Sequence, residues 1–252
     1  MRFEIVSLFP EYFELSLRQS VIGKALDKKL FEIEIINLRD FAVDRHHTVD
    51  DTPYGGGGGM VLMLEPLDRC LQSLGYSYRS ESDAQPGELL LTSAAGKPFG
   101  QKQAKLWSMQ DRMTIICGHY LGVDERLLQL YDVTEVSIGD FVLTGGEPAA
   151  AVLVDAVARL VPGVLGNFES AIEDSHMEDG SLGTPVYTKP ADYRGLTVPE
   201  ELTGGNHKEI ERFRRKTAIK KCYESRPELL SQRELTEEEQ GWIDQIKSEE
   251  ED

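Results

Sequence analysis

The sequence predicts an α/β protein with a largely parallel sheet, followed by a smaller and mainly helical region. Three observations carry this. Short β-branched runs alternate with helix-period segments from Arg2 to about Leu160, the pattern of strands linked by crossover helices. The run at Glu88 to Thr92 reads as a strand buried on both faces, as parallel sheets require. The pattern then changes at Pro162-Gly163, where periodicity gives way to Gly, Ser and acids.

The elements follow in order. Arg2 to Leu8 reads as a strand, ended by Phe9-Pro10. Phe13, Leu17, Val21 and Ala25 at i, i+4 spacing predict one helix over Glu11 to Leu30. Phe31 to Asn37 alternates apolar and acidic residues and reads as a second strand. Leu38 to Gly59 is a long polar segment, a length usually tied to function. Helices are expected near Pro66 to Leu74, Gln101 to Gln110 and Asp124 to Tyr131. Strands are expected at Glu88 to Thr92, Met113 to Cys117 and around Val136. A very apolar helix follows over Glu147 to Leu160. Asn206 opens a late helix as a good N-cap, with Glu209 three residues on as in a capping box. Residues 1–163 are therefore read as one domain, 164–183 as a flexible linker, and 184–252 as a helical domain with an acidic tail.

Composition narrows the class. The chain has 252 residues, 40% hydrophobic and 28% charged, which suffices for a sizeable core. Its net charge of -17 argues against a nucleic-acid-coating protein. That charge is unevenly spread. Glu234 to Asp252 holds nine acids and one lysine, whereas His207 to Arg226 holds eight Lys/Arg and three acids. Lys208, Arg212, Lys216 and Lys220 share one face of the basic helix, with Arg215 beside them. Such a stripe suits a phosphate backbone, or else a solvated face paired with the acidic tail. Three scattered cysteines, with no C-x-x-C and no H-E-x-x-H, indicate neither a disulfide framework nor a metal site. Neither a signal peptide nor a run of about 18 apolar residues is present, so a cytoplasmic protein without a membrane partner is expected.

Several segments carry possible chemistry. Tyr54 to Met60 holds five consecutive glycines, either a linker or a backbone that approaches something closely. It lacks the Lys-Ser/Thr of a phosphate loop. Arg45 to Asp51 places one base, two imidazoles and two carboxylates just before it. Ile116 to Arg126 and Ser137 to Pro148 put glycines at strand ends, where α/β sheets bind ligands. Phe141 and Leu143 offer an apolar wall there. Asp155 and Arg159 lie one turn apart on the apolar helix, an ion pair or a guanidinium aimed at substrate. Ser170 to Gly180 concentrates acids, a solvated loop or the source of a general base.

Taken together, the strings SLFPEYF, RDFAVDRHHTVDDTPYGGGGGM, CGHYLGVDER, SIGDFVLTGGE, VARLVPGVLG, SAIEDS and GGNHKEI resemble the bacterial tRNA (guanine-N1)-methyltransferases of the SPOUT class. They follow the family's order from Ser7 to about Leu230. The resemblance implies a trefoil-knotted domain that binds S-adenosylmethionine and an obligate homodimer with sites at the subunit interface. It implies methylation of N1 of the guanosine at tRNA position 37. Position by position, it puts the cofactor on Gly118, Tyr120, Gly122, Ile138, Gly139, Asp140, Phe141, Val142, Leu143, Gly145 and Gly146. The catalytic pair falls on Asp174 and Arg159, and the target-recognition loop on His46, Asp50 and Gly59. The C-terminal domain is implied to grip tRNA, which gives the stripe of Lys208, Arg212, Arg215 and Lys216 that role. The family's Gly-Arg-Tyr-Glu-Gly reads Gly118-His119-Tyr120-Leu121-Gly122 here. The Glu associated with magnesium use is thus replaced by Leu121, which has no oxygen to offer a hard cation.

Overall fold

The computed structural model describes residues 1–81, 84–166, 176, 181–231 and 233–251. The chain divides into two units, Met1–Gly166 and Asn167–Asp252.

The first unit is built on strands β1 (Arg2–Ser7), β2 (Glu32–Asn37), β5 (Glu88–Pro98), β6 (Arg112–Ile116) and β7 (Thr134–Ser137). They form one sheet in the order β2-β1-β6-β5-β7, with every neighbouring pair parallel. The expected parallel sheet is therefore present. Two short strands, β3 (Asp50–Asp51) and β4 (Val61–Leu62), pair antiparallel and bracket the glycine run.

Helices cover both faces of the sheet, because alternate residues of its strands are apolar on either side. Val6, Leu89, Leu91 and Ile116 share one core with Leu67 and Leu71 of α3 (Leu64–Ser73) and Leu127 of α5 (Arg126–Leu130). Phe3, Ile5, Leu90, Met113 and Ile115 alternate with these along the same strands and are equally buried. On the first of those faces Glu4 is buried beside apolar neighbours. Its Oε2 accepts from Arg112 Nε and Nη2 at 2.9 and 2.7 Å, which balance its charge, and from Thr114 Oγ1 at 2.7 Å. A carboxylate at such depth needs both charge and hydrogen bonds. Helices α4 (Gln101–Trp107) and α6 (Glu147–Ala158) pack together, and α6 also meets β1.

Three expected elements differ in extent. The helix over Glu11 to Leu30 is two helices, α1 (Tyr12–Ser16) and α2 (Ser20–Asp27). Ser20 at φ 57° takes a left-handed backbone, which a continuous right-handed helix excludes. Gly23 permits the break: a Cβ there would lie 2.3 Å from the Arg18 carbonyl oxygen. Strand β5 runs beyond Thr92 to Pro98. Its register against β7 shifts between Thr92 and Lys97, so the residues between them bulge from the ladder. Helix α5 starts later than Asp124, whose Oδ1 accepts from the Arg126 backbone N–H at 3.0 Å.

Among the described residues of the second unit, the first element is a hairpin of β8 (Asp192–Tyr193) and β9 (Leu196–Thr197). Arg194 and Gly195 both hold positive φ, the backbone of a tight two-residue hairpin turn. Helices α7 (Glu200–Thr203), α8 (His207–Ser225), α9 (Pro227–Ser231) and α10 (Glu237–Glu251) follow. Asn206 caps α8, its side chain accepting from the Lys208 N–H at 3.2 Å. Ile219, Cys222, Leu230, Trp242 and Ile243 form the core of this unit.

Glu239 ties that core to its charged face. Its Oε1 accepts from Arg215 and Arg233, each at 3.0 Å, and its Oε2 accepts from the Thr236 N–H at 2.8 Å. Burial alone would raise its pKa. The Thr236 N–H and the two guanidinium groups outweigh burial and hold it below the usual glutamate value. Because the folded value is the lower one, the stabilisation is full above the unfolded pKa of about 4.3 and is lost as pH falls through the folded value. Thermal unfolding followed by circular dichroism from pH 6 to pH 3 should show this loss. Glu239→Gln should flatten that part of the profile.

Candidate active site

At the carboxyl ends of β5, β6 and β7 the loops enclose a cavity of about 490 Å³. This is where open α/β sheets bind ligands, and the size suits a small molecule. The β5 bulge supplies Ser93, Ala94 and Ala95 to one wall. The loop after β6 supplies Gly118 to Val123, and the loop after β7 supplies most of Ser137 to Gly146.

The loops are stitched together through backbone. Gly118 N–H donates to Thr92 Oγ1 at 3.0 Å, and Thr92 Oγ1 donates to the Ile116 carbonyl at 3.2 Å. Gly146 N–H donates to the Gly118 carbonyl at 2.8 Å. Such closeness excludes side chains: a Cβ on Gly146 would lie 2.0 Å from Thr92 Oγ1, and one on Gly118 would lie 2.6 Å from the Thr92 carbonyl oxygen. The loop after β6 is also bound to the segment that follows the glycine run. Leu121 N–H donates to the Met60 carbonyl, and Leu62 N–H to the Gly122 carbonyl, each at 3.0 Å. Four of the five glycines in that run, Gly55, Gly56, Gly57 and Gly59, hold positive φ, so the run is a shaped turn.

The residues expected at the cofactor gather here. Gly118, Tyr120 and Gly122 line the cavity from one loop. Ile138, Gly139, Phe141, Val142, Leu143, Gly145 and Gly146 line it from the other. Asp140 is exposed and does not line it. Arg159 is half-buried at the C-terminal end of α6 and is not among the residues that line the cavity. Asp174 lies outside the described residues. His46 is exposed in a turn held by Asp44, whose carboxylate accepts from the His46 and Thr48 N–H groups. Those bonds, led by Thr48, hold Asp44 below the usual aspartate range. Asp50 pairs with Leu62 in the β3–β4 ladder. Gly59 lies beneath Leu121: a Cβ on it would meet three Leu121 carbons at 3.1 to 3.4 Å.

Of the basic stripe, Lys208 sits in the first turn of α8, Lys220 pairs with Glu224 of the same helix, and Arg212, Arg215 and Lys216 bond residues of the acidic helix. Arg212 Nε donates to Glu238 at 2.8 Å, Arg215 to Glu239 at 3.0 Å, and Lys216 to Gln245 at 3.2 Å. The pairing with the acidic segment, one of the two readings open from sequence, is thus present for both arginines.

Three polar residues at the cavity, His119 in its lining and Ser7 and Glu147 behind it, were not assigned to the site from sequence. Glu147, at the head of α6, accepts from Ser7 Oγ at 2.6 Å and bonds His119 Nε2 at 2.8 Å. The available signal was an acid directly after a glycine pair at the start of an otherwise apolar helix, where the dipole favours it. Cys117 lies close by. Burial, then the charge of Glu147, pushes its thiol well above the usual range, so it remains protonated and is no nucleophile.

At the position where the resemblance implies a carboxylate for magnesium, the structure has Leu121. Leu121 supplies alkyl carbon against Gly59, and the described residues hold no cluster of three or more His, Cys, Asp or Glu placed for a metal. Among the described residues no helix is long and apolar enough to cross a membrane.

A parallel sheet whose strand-end loops close on a glycine-walled cavity defines an α/β enzyme domain for a small-molecule ligand. The family model described as tRNA (Guanine-1)-methyltransferase TrmD matches residues 1–232, and the chain belongs to this family. A protein of Lactobacillus johnsonii named tRNA (guanine-N(1)-)-methyltransferase is 46% identical over 251 residues, covering 100% of both chains. Proteins of the same name from Latilactobacillus sakei and Dehalococcoides mccartyi are 46% and 45% identical, each covering 99% of this chain and 98% of the relative.

Proposed function

We propose that this chain transfers a methyl group from S-adenosylmethionine to N1 of the guanosine at position 37 of tRNA. The carrying observation is the glycine-walled cavity at the ends of β5, β6 and β7, in a chain of the tRNA (Guanine-1)-methyltransferase family. In this reading the cavity loops hold the donor, with the apolar side chains of Ile138, Phe141 and Leu143 against its adenosine part. The donor supplies an electrophilic methyl on a sulfonium.

The chain must then solve a protonation problem. Guanine N1 carries a proton at neutral pH and attacks poorly until that proton leaves. Asp174 takes the proton as general base. Its removal places negative charge on O6, which the Arg159 guanidinium stabilises. The protein works as a cytoplasmic homodimer with the site completed across the interface. Phe141, Val142 and Leu143 form an exposed apolar lip on the cavity, which a second subunit would cover.

The test is methyl transfer from labelled donor to a transcript with guanosine at position 37 and to one with adenosine there. Labelling of the first alone is expected. Equal labelling of both would sink the position assignment.

A further inference from the structure

We propose that Ser7, His119 and Glu147 form a positioning clasp that sets the width of the donor cavity; this rests on reading that cavity as the donor site. The three residues come from three elements. Ser7 ends β1, His119 lies in the loop after β6, and Glu147 starts α6 directly after the loop that follows β7. Their meeting point is almost dry, with Glu147 4% exposed.

Each carboxylate oxygen of Glu147 has one donor. Ser7 Oγ–H donates to Oε1 at 2.6 Å, and His119 Nε2 lies 2.8 Å from Oε2. An ionised carboxylate accepts only, so with Glu147 ionised the bond is a donation from His119 Nε2. Ser7 Oγ in turn accepts from the Phe9 N–H at 2.9 Å, which fixes the hydroxyl.

The clasp bears directly on the cavity walls. His119 itself lines the cavity, as do its neighbours Gly118 and Tyr120. Tyr120 holds φ 59°, a left-handed backbone that a side chain adopts at some cost. Across the cavity floor, His119 pairs with Gly145 in an antiparallel bridge. A Cβ on Gly145 would lie 2.2 Å from His119 Nε2 and 2.7 Å from Glu147 Oε2, so the two loops meet on this hydrogen bond. The imidazole is wedged by the Phe9 and Tyr120 rings, at centroid distances of 5.2 and 5.6 Å. Removing the imidazole leaves a buried carboxylate short of a donor, and the loops must part to admit water.

The experiment uses the full chain, with donor affinity by calorimetry, steady-state kinetics and thermal unfolding. His119→Ala should weaken S-adenosylmethionine binding about ten- to a hundredfold and raise its KM alike, with kcat at saturating donor within about threefold. His119→Arg should restore affinity to within about threefold, because a guanidinium also donates to Glu147. Ser7→Ala, which removes a single oxygen, should weaken binding by about three- to tenfold. Donor affinity unchanged in His119→Ala would overturn the clasp. So would equal impairment of His119→Ala and His119→Arg, or a loss confined to kcat. A wild-type chain that binds no S-adenosylmethionine overturns instead the donor-site reading on which the clasp rests.

Discussion

Gly146→Ala is expected to abolish detectable donor binding, a loss of at least about a hundredfold, and to lower the unfolding temperature. The added methyl group would lie 2.0 Å from Thr92 Oγ1, 2.7 Å from Gly118 N and 3.0 Å from Cys117 Cα. Two of these three atoms are backbone. The third is pinned, since Thr92 Oγ1 bonds both Gly118 N–H and the Ile116 carbonyl. No side chain can swing aside, so the ends of β5 and β6 must separate from the head of α6. Overpacking of this kind costs about 1–3 kcal/mol in well-packed interiors, and here it deforms the cavity itself. Calorimetry with S-adenosylmethionine and a thermal melt would measure the two effects. Gly100→Ala is the matched control: its Cβ would meet nothing nearer than Gln103 Oε1 at 3.7 Å. Equal donor affinity in both variants would refute the account.

Asp174→Ala should lower the rate of methyl transfer by about 10²–10⁴, the usual worth of a positioned general base. Donor affinity should stay within about threefold of wild type, because the residue is assigned to the guanine proton and not to the donor. Single-turnover transfer from labelled donor separates these quantities. Asp174→Asn should be as impaired as the alanine variant, since an amide keeps the shape and loses the basicity. Turnover retained in either variant would remove Asp174 from the base role.

The legible parts of the fold were those dictated by local pattern. Strand β1 is buried from Phe3 to Ser7 and helix α6 is mostly Ala, Val and Leu, and such short, strongly apolar segments are legible as elements. The segment from Glu11 to Leu30 misled because its i, i+4 pattern runs straight through the break at Ser20. The structure buries Ile22 and leaves Val21 41% exposed, a rotation of the apolar face that periodicity does not reveal. Strand β5 was cut short because its second half lies largely outside the core, and small residues such as Ser93, Ala94 and Ala95 carry no strand signature. The glycines at the strand ends stood out, since glycine there has a stereochemical meaning that sequence preserves. The contacts of Glu147 did not. Its partner Ser7 is 140 residues away, and nothing local to either residue announces the other.

The seating of Arg212 on Glu238 and of Arg215 on Glu239 has a thermodynamic consequence for any polyanion that meets α8. Affinity for nucleic acid grows mostly through release of the cations condensed on its phosphates, one for each phosphate that a protein cation neutralises. A guanidinium already satisfied by a carboxylate of its own chain neutralises no phosphate unless it leaves that partner. The logarithm of the association constant should then fall with the logarithm of salt concentration less steeply than the eight bases between His207 and Arg226 would imply. Charge counted along a sequence thus overstates charge available for ion exchange.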